Sequence, residues 1–164
     1  MKNKFKLLKA DIQLELDKLH SLEKEMSSIL PSSTKRPSSV ELRAIGSILH
    51  DFYSGIEKVF KRIALEIDGE IPKGEDWHIH LLNRMAIRVP QVRPNVISSH
   101  LRDDLEDYLR FRHLFRHLYG FELKWSRCQA LALNMPDILN HFLQELEEFL
   151  KFLESLSEHD KREE

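Results

Sequence analysis

The chain has 164 residues, of which 41% are hydrophobic and 32% charged, with a formal net charge of −2. That balance excludes a disordered polymer and argues against a generic nucleic-acid coat protein, whose grip rests on excess positive charge, while leaving room for a small basic site. The single cysteine, Cys128, excludes an intramolecular disulfide and fits a reducing, cytoplasmic compartment.

Five glycines and six prolines among abundant Leu, Glu, Lys and Arg favour helix throughout. Phe5, Leu8, Ile12, Leu16, Leu19, Leu22, Met26 and Ile29 recur at spacings of three and four and predict a first helix over 4–30. Residues 31–39, with Pro31 and Pro37, read as a loop, and Ser38 or Ser39 can cap the helix after it. That second helix is expected over 40–67, its stripe running from Ile45 to Ile67. Gly46 and Gly55 inside it each cost roughly 1 kcal/mol relative to alanine, which close approach of another backbone would explain.

A turn-rich connection over 68–76 leads to a short third helix over 77–87. Pro90 and Pro94 then favour extended backbone. Ser98 or Ser99 caps a fourth helix that is expected to run to Tyr119, with Gly120 as its stop. A last helical region starts near Lys124, is expected to break at Pro136, and frays into a charged tail over 158–164. These elements predict one all-α domain over 1–164, an up-and-down four-helix bundle with an extra short helix. On the fourth helix apolar residues cover more than half the circumference, which points to a second buried surface and a homodimer. No run has the length of a membrane span, and the lysine-punctuated N-terminus does not read as a signal peptide.

Seven of the twelve arginines fall within 84–116, a stretch without lysine. For Arg88, Arg93, Arg102 and Arg110 the simpler reading is pairing with Asp103, Asp104, Glu106 and Asp107 on a solvated face. Arg112 differs. It lies seven residues from both Leu105 and Tyr119, inside the apolar stripe, so it must be paired, snorkel, or face an anion. Arg116 comes one turn on, and His113 and His117 stand four residues apart. Arginine steadies charge on a phosphate and histidine moves protons near neutrality, so together they suffice for metal-independent RNA cleavage. The residues alone leave that reading open beside a buried arginine doing structural work at a dimer interface. His78 and His80, or His113 and His117, could chelate a metal. His113 is followed by Leu114 where a metalloprotease helix has glutamate, and Cys128 has no partner, so neither metal nor cofactor is expected.

Arg112, four residues, His117, one residue, Tyr119 resembles the R-x(4)-H-x-Y signature of HepT toxins in the HEPN superfamily, and His113 supplies the polar residue directly after the arginine. The segments LHDFYSGIE at 49–57, GEDWH at 74–78, RPNV at 93–96 and RFRHLFRHLYGFEL at 110–123 occur in the order of a HepT-like branch, so the resemblance spans about residues 5–155. It implies a dimeric helical bundle whose two motifs share one cleft. Arg112 would steady the scissile phosphate and His117 act as general acid or base. His113 and Arg116 would be accessory groups, and Asp51 and Tyr53 would line the cleft. Tyr119 would be adenylylated by a nucleotidyltransferase antitoxin of the MNT type. The alternative is a non-catalytic subunit that binds substrate or scaffolds such a nucleotidyltransferase. An Arg112 neutralised by its own chain's carboxylate, with His117 away from any groove, would oppose the catalytic reading.

Overall fold

In a computed structural model that describes residues 2–30 and 35–159, the chain forms five helices. They are α1 (Lys2–Ile29), α2 (Ser39–Ile63), α3 (Trp77–Met85), α4 (Ser99–Phe115) and α5 (Trp125–His159). A π-helical turn, Ala64–Asp68, prolongs α2, and a 3-10 turn, Gly120–Glu122, joins α4 to α5. Positions 31–34 of the expected loop and 160–164 of the expected tail lie outside the described residues. Among the described residues the β structure is a single isolated bridge between Val89 and Arg93. No helix is long and apolar enough to cross a membrane.

The helix starts arise from local chemistry. Ser38 Oγ accepts from the Glu41 N–H at 3.1 Å while the Glu41 carboxylate accepts from the Ser38 N–H at 3.0 Å, a reciprocal cap that satisfies two otherwise orphaned donors. Ser98 caps α4 by accepting from the Leu101 N–H, and its own N–H donates to Glu145 on α5. α2 buries twelve residues and is the hub of the fold: α1, α3, α4 and α5 all pack against it. α1, α2, α4 and α5 close a ring of four, with α3 laid across the α2–α4 seam. Leu8, Ile12, Leu16, Leu19 and Met26 of the predicted α1 stripe face inward.

Four expectations are corrected. The broad apolar arc of α4 is mostly consumed within the chain: Leu101, Leu105, Tyr108, Leu109 and Phe111 are all buried against neighbouring helices. The two α2 glycines admit side chains, not backbone. A Cβ on Gly46 would meet Leu123 Cδ2 at 2.6 Å and Phe115 Cε2 at 2.7 Å, and one on Gly55 would meet Leu19 Cδ2 at 2.8 Å. α5 runs unbroken through Pro136, because packing of Ala132, Met135, Ile138 and Leu139 outweighs the one hydrogen bond the proline forfeits. α4 ends at Phe115, four residues before Tyr119. His117 and Leu118 donate to carbonyls three residues back, tightening the exit, and Tyr119 is already extended. That reversal lets Leu123 fold back, buried, against Gly46; a continued helix would have carried it away.

The segment after α3 is held by Arg93. Its Nε and Nη2 donate to both oxygens of Asp68 at 2.6 and 2.8 Å, and Nη1 and Nη2 also donate to the carbonyls of Ile87, Pro94 and Arg84. Arg93 is thus a buried clip between the end of α2 and the exposed carbonyls of the α3 C-terminus, instead of a member of a solvated face. Arg102 and Arg110 do pair as expected, with Asp103 and Glu106.

Candidate functional site

Arg112 occupies the last turn of α4, where a cation also complements the negative helix end. It is 4% exposed, and it is paired. Nη1 donates to Glu57 Oε1 on α2 at 3.1 Å, and Nη2 lies 2.7 Å from His78 Nδ1 on α3. The same His78 nitrogen is 2.7 Å from Glu57 Oε2. Three helices therefore each contribute one group to a small ionic cluster at the α2–α3–α4 junction. The guanidinium also lies 5.4 Å from the centre of the Tyr53 ring, an attraction between cation and π face. Arg112 Nε and the Tyr53 hydroxyl are buried without hydrogen-bond partners.

His113 stands at the rim, its ring 5.4 Å from that of His78 and nearly perpendicular to it. Trp77 stacks on the His78 ring at 3.7 Å, and Lys61 covers the indole at 4.4 Å. Arg116 and His117 are exposed on the turn beyond α4. Tyr119 is 71% exposed and lies parallel to Phe121, ring centres 5.4 Å apart. Asp51 is exposed and contacts His50, whereas Tyr53 is fully buried beneath Arg112, its hydroxyl held protonated chiefly by loss of hydration and further by the Glu57 charge. Cys128 is buried, its thiol pushed up to about 11 by that burial, so it is no nucleophile at neutral pH. Among the described residues no group of three or more His, Cys, Asp or Glu is arranged to hold a metal ion.

Sequence reasoning singled out Arg112 and missed its partners. Glu57 was legible by the same argument: it sits four residues from Tyr53 and three from Phe60, a carboxylate set into an apolar stripe. His78 carried no such signal, because α3 is too short for its face to be read from periodicity.

The His113 imidazole titrates below its ordinary 6.5, first because it loses hydration and then because Arg112, His78 and Arg116 place positive charge nearby. It therefore remains neutral, and able to accept a proton, as pH falls below the usual imidazole range. With the folded-state value depressed, the unfolded chain binds the extra proton first, so His113 makes stability fall as pH drops through 6.5 toward the folded value. Arg116→Gln removes one of the cationic causes. An NMR titration of the His113 ring should then show its midpoint moved upward; an unmoved midpoint rules out the charge coupling.

A family model described as HepT-like protein matches residues 44–153, a span that holds the Glu57–His78–Arg112 cluster, His113, His117 and Tyr119. No curated protein and no solved structure matches the chain. With two thirds of its length accounted for by that match, the chain belongs to the HepT-like proteins.

Proposed function

We propose that this chain is a metal-independent ribonuclease toxin of the HepT type, acting as a homodimer with RNA bound where two copies meet. The observation that carries the reading is the grouping at one end of α4. The exposed Arg116, His117 and Tyr119 surround an arginine that three helices hold in place. Arg112, buried and engaged, acts in the single chain by positioning its neighbours, and the exposed Arg116 guanidinium is left free to meet a phosphodiester. His117 supplies acid–base chemistry beside it, and His113 orients the chain of the substrate. The antitoxin would be a nucleotidyltransferase of the MNT type, and Tyr119, with its ring and hydroxyl in solvent, is the target for adenylylation. AMP added there would bring negative charge and bulk against RNA.

One observation favours the second reading, a non-catalytic subunit that binds or scaffolds the nucleotidyltransferase: Arg112 is neutralised by Glu57 of its own chain. Expression of wild type and His117→Ala separates the two. On the ribonuclease reading, wild type arrests growth and the variant does not, with RNA cleavage reduced roughly 10²–10⁴-fold. Equal arrest by both ends the catalytic assignment. Intact mass after co-expression with an MNT-type nucleotidyltransferase should show added AMP on wild type and none on Tyr119→Phe. An unchanged wild-type mass would remove the modification from the proposal.

A further inference from the structure

We propose that His78 is a second acid–base imidazole of this site, aimed by the buried Glu57 carboxylate so that its Nε2 faces RNA. The inference rests on the ribonuclease reading and adds to it a residue from α3, outside the Arg112–Tyr119 segment. Glu57 is 5% exposed, and its Oε2 takes up the Nδ1 side of the ring at 2.7 Å. A carboxylate in that position holds the proton on Nδ1 and leaves a lone pair on Nε2. Among the described residues Nε2 has no hydrogen-bond partner, and it is not among the buried orphaned atoms. It opens to solvent.

Charge counting supports the assignment. Arg112 already neutralises Glu57 one for one, so the cluster needs no second cation, and His78 completes it as a neutral, oriented ring. Its plane is set from two sides, by the stacked Trp77 indole and by the His113 ring meeting it edge-on. The titratable and charged groups that face it are Glu57 from α2 and Arg112 and His113 from α4, with Lys61 of α2 one layer out across Trp77. A ring that only filled space would not need a buried carboxylate to fix which nitrogen carries its proton.

The chemistry balances with two imidazoles. His78 Nε2 takes the proton of the ribose 2′-hydroxyl, and the 2′-oxygen attacks the adjacent phosphorus. The bond from phosphorus to the 5′-oxygen breaks, and that oxygen receives a proton from the His117 imidazolium. The products are a 2′,3′-cyclic phosphate and a 5′-hydroxyl; one proton is taken and one returned.

His78→Asn is the discriminating variant, made in the full chain. Its side-chain amide can still donate to Glu57 where Nδ1 did, while the outer nitrogen is gone. Cleavage of a mixed-sequence oligoribonucleotide should fall roughly 10²-fold or more in kcat, with KM little changed, the acid limb of the pH–rate profile lost, and the urea unfolding midpoint close to wild type. A His78→Asn chain as active as wild type, with the same pH profile, overturns the inference and leaves the ribonuclease reading standing. The NMR signals of the His78 ring in wild type should also shift when a 2′-O-methylated oligoribonucleotide, which lacks the nucleophile, is added; unmoved signals overturn the inference as well. A wild-type chain that cuts no RNA defeats the ribonuclease reading itself. Ring signals that shift in that case would assign a binding contact and overturn the acid–base role.

Discussion

Glu57→Ala is expected to destabilise the chain by roughly 3–5 kcal/mol, a large share of the ~5–15 kcal/mol that holds a domain together. The reason is what remains behind. Arg112 would keep its charge at 4% exposure with only the Tyr53 face and the His78 ring near it, and its Nε already lacks a partner. Removing one member of a buried pair strands the other, which costs far more than the pair itself contributes. The double variant Glu57→Leu/Arg112→Met should therefore recover most of the loss, because apolar groups of similar volume do not need to be neutralised. Urea unfolding at neutral pH measures both. A double variant as unstable as the single one would mean that the cluster is not the source of the loss. The recovered double variant also isolates function: on the proposed reading it folds and cuts no RNA, so cleavage by it would remove Arg112 from the mechanism.

Arg93→Ala should cost as much, roughly 3–5 kcal/mol, for a different balance of reasons. The Arg93 side chain is fully buried and directs its N–H groups at Asp68 and three backbone carbonyls. Alanine would leave the 7%-exposed Asp68 carboxylate unpaired and the carbonyls of Arg84, Ile87 and Pro94 without that donor. Arg93→Lys should rescue only part of it, since an ammonium cannot span both carboxylate oxygens and the carbonyls behind them. The effect should also be local. Hydrogen exchange in α3 should accelerate first, because Arg93 closes the α3 C-terminus and α3 carries His78. An Arg93→Ala chain within about 1 kcal/mol of wild type, with α3 protection unchanged, would show that the clip contributes little.

The two arginines illustrate how far a one-dimensional reading reaches. Both lie in a stretch rich in carboxylates, and pairing with those neighbours was the natural expectation for Arg93. Its partner is instead Asp68, twenty-five residues away, because Pro90 and Pro94 turn the chain back onto the end of α2, with Gln91 at positive φ at the tip. Arg112 could be flagged from its place in an apolar stripe, since a charge there demands an explanation. What satisfies it could not be read, because Glu57 and His78 lie fifty-five and thirty-four residues upstream.

Periodicity and capping chemistry are local, so the sequence alone determined five helical segments, the Ser38 and Ser98 starts, the inward faces of α1 and α2, and the family signature around Arg112. Tertiary packing decided where α4 stops, how α5 passes Pro136, and that α4's surplus apolar arc is spent inside one chain. It also decided that Arg112 meets a carboxylate and an imidazole from two other helices. The physical reason is the same in each case. A helix face can be computed from spacing, but the energy of ending a helix, burying Leu123 or placing a charge depends on atoms brought in from distant parts of the chain, and those exist as neighbours only after folding.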